Sequence, residues 1–144
     1  MARSKALCVL LALTMALAIA PLTRAQPYPV AHPLPRRGAF LLGTAHVDGP
    51  TDHDNIKVGR YAGRYHFVML TVRFAPIQFD HVVVHYGNGT AETLPVNTFI
   101  GPGRSSQWIR LPGRRRVIRS LELWYARAQP NNPTKPEVEL FGAP

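Results

Sequence analysis

Between residues 65 and 73 the apolar positions fall two apart. Val68, Leu70 and Val72 share one face, and Phe67, Met69, Thr71 and Arg73 share the other. A period of two predicts a strand that buries one face against a core. The run from Phe79 to Tyr86 is nearly all β-branched or aromatic, with Val82, Val84 and Tyr86 on one side and His81, Val83 and His85 on the other. Gly87-Asn88-Gly89-Thr90 separates it from a second short run, Ala91–Val96. Asn-Gly in that position predicts a hairpin with a type I′ turn, in which both central residues take positive φ. Pro95 marks an edge strand or a strand end.

The other elements follow from the same pattern. Ala39–Val47 reads as the first strand, stopped by Gly49-Pro50. Asp48–Asp54 reads as a polar loop and Ile56–Val58 as a short edge strand, while Asn97–Gly103 reads as a loop. Ser105–Leu111 puts Ile109 and Leu111 inward and Trp108 and Arg110 outward. Pro112-Gly113 turns the chain and leaves Arg114-Arg115-Arg116 in water. In Val117–Ala126, Leu121, Leu123 and Tyr125 share a face, but strict alternation would bury Arg119 with them. Ile118 is the better inward residue, and that odd spacing predicts a β-bulge near Arg119-Ser120. Glu137–Gly142 closes the series, with Val138 and Leu140 inward. After the N-terminal region no segment sustains a 3.6-residue apolar period. About eight short strands predict an all-β fold, a single antiparallel β-sandwich of jelly-roll type, with a closed barrel as the alternative.

The N-terminus has a different character. Arg3 and Lys5 precede an uncharged run from Ala6 to Ala20, and Thr23-Arg24-Ala25 follows. This predicts a secretory signal peptide over residues 1–25, cleaved after Ala25, and a periplasmic or extracellular destination. The run is too short for a comfortable transmembrane segment. Residues 26–38 carry Pro27, Pro29, Pro33 and Pro35 and read as a flexible arm, which leaves 39–144 as the folded domain. The single cysteine, Cys8, departs with the signal peptide. The remaining chain then has neither thiol chemistry nor disulfides and relies on packing alone.

Charge narrows the partner classes. With residues 1–25 removed, 14 cations face eight acids, a net charge of +6, and only Lys57 and Lys135 among those cations are lysines. An arginine-rich surface favours phosphate, carboxylate or sulfate groups. Arg104, Arg110, Arg114, Arg115, Arg116, Arg119 and Arg127 fall in one stretch with Trp108 and Trp124. Arginines clamp anions and aromatic rings stack on sugars or bases. Trp108, Arg110, Arg114, Arg115, Arg116 and Trp124 therefore form the candidate ligand-binding set. An anionic glycan or lipid head group is the matching partner; nucleic acid suits the charge but not an exported protein. The alternative is a solvated basic face that keeps sheet edges from pairing.

His46, Asp48, Asp52, His53 and Asp54 form the densest cluster of candidate metal ligands. Asp48, Asp52, His53 and Asp54 could hold a divalent ion as cofactor, Ca²⁺ through oxygen or Zn²⁺ with the imidazole added. The alternative is a turn whose aspartates accept backbone N–H bonds. His81 and His85 lie about 13 Å apart on a strand and cannot share an ion. Catalysis has little to build on. Ser105, Ser106 and Ser120 lack a nucleophile elbow, and Asp52 and Asp54 sit too close in sequence to oppose each other across a scissile bond. Asn88-Gly89-Thr90 matches a glycosylation triplet, but the turn accounts for it.

These motifs together resemble a family of small, secreted, functionally uncharacterised bacterial proteins. The matching residues are Leu42-Gly43, Asp52-His53-Asp54, Ile56–Gly59, Val84–Gly89, Arg116–Ser120 and Leu140–Gly142, with His85 as the variable residue of the Val-x-Tyr-Gly-Asn-Gly hairpin. The resemblance implies a β-sandwich in the cell envelope and implies no activity. The expected function is a non-enzymatic binding module for an anionic envelope glycan or lipid. The alternative is a structural or interaction protein of the envelope with no small ligand.

Overall fold

The computed structural model describes residues 38–49, 51–59 and 63–144, with residues 51 and 52 described by their backbone alone. The expected signal peptide, and all of the expected arm except Gly38, lie outside the described residues. Nine strands are present among the described residues: β1 (Phe40–His46), β2 (Thr51–Lys57), β3 (Phe67–Arg73), β4 (Ile77–Tyr86), β5 (Ala91–Ile100), β6 (Arg104–Ser105), β7 (Ile109–Arg110), β8 (Ile118–Arg127) and β9 (Glu137–Ala143). They form two antiparallel sheets. The first runs β1-β9-β3, with both β6 and β7 on the free side of β3; the second runs β2-β8-β4-β5. The fold is a sandwich and not a barrel.

The inner faces are the ones the alternation predicts. Val68, Leu70 and Val72 of β3 and Val138 and Leu140 of β9 are buried with Val82 and Val84 of β4 and Leu121, Leu123 and Tyr125 of β8. These residues belong to one continuous core. Each fully buried valine or leucine contributes about 1.5–3 kcal/mol, which is how the domain holds without disulfides. Where the sheets approach most closely, between β1 and β2, Gly43 leaves the room. A Cβ there would stand 2.6 Å from Ile56 Cγ2 and 3.0 Å from the Lys57 carbonyl oxygen.

Five local expectations need correction. Asp52-His53-Asp54 is not a loop but the body of β2, which pairs with β8 from Thr51↔Ala126 to Lys57↔Ser120. Asp54 shares the face of the buried Ile56 and accepts the hydroxyl of Tyr125 there, so the short apolar signal at Ile56 understated the strand's length. The expected strand 105–111 is split into β6 and β7 by Ser106. Its Oγ accepts the Leu70 N–H at 3.0 Å and donates to the Gln107 carbonyl at 2.8 Å, replacing a ladder bond. β5 runs on to Ile100 through the expected loop, because Asn97 at φ 41° absorbs an irregularity and pairing with β4 resumes at Thr98. Arg116 does not stay in water, as described below.

The hairpin is present, but its turn is not type I′. Gly89 has φ 86° and Asn88 is not in the positive-φ region. Gly89 N–H donates to Tyr86 O at 3.1 Å and Tyr86 N–H donates to Thr90 O at 2.8 Å. This is the three-residue loop, a type I turn followed by a left-handed glycine. Asn88 serves through its side chain, with Oδ1 accepting from Thr90 Oγ1 at 2.8 Å.

Candidate functional site

Strand β8 departs from regular pairing with β4 at two places. Between Phe79 and His81 the register slips by one residue, which leaves Asp80 as an extra on β4; between His85 and Tyr86 it slips again, which leaves Arg119 as an extra on β8. The second is the bulge that the Ile118–Leu121 spacing predicts. A bulge turns two consecutive side chains toward the same face. Asp80 and His81 thus both look outward, between the buried Phe79 and Val82, and Arg119 and Ser120 do so between the buried Ile118 and Leu121. The outer face of the second sheet gains an acid at one end and a cation at the other.

Between the bulges this face is laid out in cross-strand rungs. One rung aligns His53, Trp124 and His81; the next aligns Asn55, Glu122 and Val83; the last aligns Lys57, Ser120 and His85. The outer two rungs are four residues apart, about 13 Å. In the first, His53 stacks on Trp124 at 4.8 Å between ring centroids and His81 stacks at 5.3 Å, both tilted by 15°. The two histidines come from strands on opposite sides of β8, so they cover both faces of the indole. Trp124 offers its edge to solvent and cannot act as the sugar-stacking platform expected of it. His81 Nδ1 and Asp80 Oδ2 are 2.8 Å apart, so this nitrogen donates to the carboxylate. With the Asn97 side-chain amide turned so that its nitrogen faces these acceptors, it donates to the Asp80 carbonyl oxygen at 3.1 Å and to Oδ1 at 3.2 Å.

Two open depressions lie along the face. The first, about 500 Å³, is lined by Gln78, Asp80, Asn97, His53, Trp124 and Ala126 among others. The second, about 590 Å³, lies at the hairpin end and is lined by Asn55, Lys57, His85, Arg119 and Ser120, with Gly87 and Gly89 of the turn. Glu122 sits between them and is engaged by His85 Nε2 at 2.9 Å.

The expected ligand set is not brought together. Trp124 lies on β8 of the second sheet, whereas Arg110 lies on β7 and Trp108 in the β6–β7 connection of the first. Arg114 and Arg115 are exposed in the turn before β8. Arg116 packs against Tyr86, with Cζ 3.6 Å from the ring centroid, and donates to Glu92 Oε1 at 3.1 Å and Thr90 Oγ1 at 2.6 Å. Tyr86 donates to Glu92 Oε2 at 2.7 Å. Burial, reinforced by the Glu92 carboxylate, pushes the Tyr86 hydroxyl well above its ordinary value. Arg116 is a structural residue.

The metal set is dispersed as well. His53 and Asp54 are neighbours on a strand and therefore face opposite ways. His53 stacks on Trp124, while Asp54 Oδ2 accepts the Tyr125 hydroxyl at 2.5 Å. Asp48 pairs with Lys135 at 2.6 Å, which holds its carboxyl below the usual carboxylate range. His46 lies 3.5 Å from Glu137. The Asp52 side chain lies outside the described residues. Among the described residues no group of three or more potential ligands could hold an ion. Sequence reasoning missed Gln78, Asp80, Asn97, Lys57 and Arg119 as members of one face. Only Arg119 left a trace, in the spacing of its buried neighbours.

The family described as Domain of unknown function (DUF2541) matches residues 7–142. The chain belongs to this family. In this DUF2541 chain, the segments that carry the resemblance are largely architectural. Gly43 permits the β1–β2 approach, and Gly142 sits where a Cβ would stand 2.7 Å from Leu42 Cδ1 and 2.8 Å from Tyr65 Cδ1. The Val84–Gly89 segment supplies the hairpin. The solved structure of Pseudomonas aeruginosa AlgX is similar over 73% of this chain and 27% of its own length, at 15% identity and a TM-score of 0.44. No curated relative matches the chain.

Proposed function

We propose that this protein is an exported, non-enzymatic module that binds a glycan of the cell envelope or extracellular space along the outer face of its second sheet. The observation that carries the reading is the Asp80 bulge. It sets the Asp80 carboxylate beside the Asn97 amide at an open depression that the His53 imidazole, Gln78 and the exposed edge of Trp124 also line. Carboxylates only accept hydrogen bonds, amides donate and accept, and imidazoles do either according to tautomer. That mixture matches neighbouring sugar hydroxyls, and an open, polar depression suits a polyol chain better than a compact apolar ligand. Export rests on the N-terminal pattern of charge and apolar residues. No metal and no nucleophile has a part in this reading.

The test is a binding panel of neutral and acidic oligosaccharides, followed by isotherms for wild type and Asp80→Ala. We expect at least tenfold weaker binding in the variant with an unchanged melting temperature, since Asp80 is mostly exposed. Unchanged affinity, or no oligosaccharide bound by the wild type, overturns the reading. One observation favours an interaction protein instead: Phe40 and Leu41, on edge strand β1, are 58% and 54% exposed. Failure of the glycan panel would favour that second reading.

A further inference from the structure

The hairpin end of the same face has a different chemistry. Lys57, Ser120 and His85 occupy one cross-strand rung, and the β8 bulge adds Arg119 to it. The acids nearby are already used. Glu122 is engaged by His85, and Glu92 is held by Arg116 and Tyr86. Among the described residues, neither Lys57 nor Arg119 has an acidic partner. Both side chains line the depression of about 590 Å³, together with the Ser120 hydroxyl and Gly87 and Gly89 of the hairpin. Two uncompensated cations and a hydroxyl around an open hollow attract a carboxylate or sulfate, with arginine able to grip it through two parallel bonds.

We infer that this hollow is an anion subsite for one carboxylate or sulfate group, and that the ligand of the face is an acidic oligosaccharide bound in a single direction. The inference rests on the glycan reading for the identity of the chain, but not for the subsite itself. The hydroxyl-bearing part lies over Gln78, Asp80 and Asn97. The acidic group sits at Lys57 and Arg119, about 13–20 Å further along the strands. The Asp80 carboxylate repels an acidic group at the opposite end, so the reversed orientation is disfavoured. Arg114 and Arg115, exposed in the turn, add long-range attraction without contact.

The experiment has two arms. In the first, sulfate alone is titrated at low ionic strength and followed by backbone amide shifts in wild type and in Lys57→Gln/Arg119→Gln. We expect shifts concentrated at Lys57, Gly87, Arg119 and Ser120, and their loss in the variant. Shifts confined to Arg114 and Arg115, or unchanged by the variant, overturn the subsite. In the second arm, an oligouronate and its carboxyl-reduced form are compared by isotherms. The double variant should weaken the oligouronate at least tenfold and leave the reduced form unaffected; equal loss for both, or none, overturns the directional assignment. Sulfate bound at the hollow with neither oligomer bound would overturn the glycan reading and the directional assignment while supporting the subsite.

Discussion

The guanidinium of Arg116 lies over the ring of Tyr86 at 3.6 Å, and both side chains bond the carboxylate of Glu92. The three residues come from the turn before β8, the end of β4 and the start of β5. Together they pin the hairpin to the body of the sandwich. Arg116→Ser should therefore destabilise the protein by about 1–3 kcal/mol, from the lost cation–π contact and charge-assisted bond. Arg114→Ser and Arg115→Ser should each stay within about 0.5 kcal/mol of wild type. Urea unfolding of the three single variants checks this. A shift in Arg116→Ser as small as in its neighbours would show that the contact contributes nothing.

Tyr86 also sets a pH dependence. Its hydroxyl is raised above the ordinary value of 10.0 by burial and by Glu92, and burial raises Tyr65 in the same direction. Above pH 10 the unfolded chain releases these protons while the folded chain keeps them. The folded state then binds more protons, so stability falls as pH rises. Tyr86→Phe should begin with lower stability near neutrality, by about 1 kcal/mol for the lost hydrogen bond. It should then decline less steeply than wild type above pH 10. Parallel decline of the two proteins between pH 9 and 11 would contradict the assignment.

Two glycines separate backbone strain from crowding. Gly89 has φ 86°, and a Cβ at this position would meet nothing within 4 Å, so Gly89→Val should cost roughly 1–2 kcal/mol through conformation alone. Gly43 has no such φ but faces Ile56 and the Lys57 carbonyl. Gly43→Ala should cost about 1–3 kcal/mol by overpacking the β1–β2 approach. Replacing Gly89 with Asn, which tolerates the left-handed region, should recover most of the loss at the turn; no recovery at position 43 is expected from Asn. Thermal melts of the four variants distinguish the two causes.

Adding Ca²⁺ or Zn²⁺ should leave the melting temperature unchanged, because His53 and Asp54 point to opposite sides of β2 and Asp48 is held by Lys135. A ligand that binds only the folded state would raise it. A rise of several degrees, abolished by Asp54→Asn, would restore the metal reading.

The buried half of the fold was legible because alternation is a direct record of which side faces the core. Val68, Leu70 and Val72, or Leu121, Leu123 and Tyr125, admit few other arrangements. Even the bulge at Arg119 could be read, since Ile118 and Leu121 are both buried and an odd number of steps separates them. The bulge at Asp80 has the same form, with Phe79 and Val82 buried three apart. It went unread because His81, Val83 and His85 gave the run a complete outer face without it. Strand β2 was hidden for the opposite reason: as an edge it has solvent on its outer side, and only Ile56 marks its inner one. The site itself is a product of pairing. Nothing in the order of residues places Lys57 beside His85 or Trp124 between two imidazoles; the cross-strand register does.

The extra residue in β8 makes the outer face unusually sensitive to changes in chain length. Removing Arg119 would close the slip and return Ile118 and Ser120 to adjacent rungs, both still facing as they do now. Removing Ser120 would close it in the same way, with Arg119 in its place, whereas removing a residue elsewhere within β8 would put one half of the strand out of phase and send its apolar side chains into solvent. Of these two deletions, the loss of Arg119 removes one of the two charges at the positive end of the groove while sparing the core. A one-codon change in chain length at the bulge thus alters the charge of the outer face without moving a buried side chain.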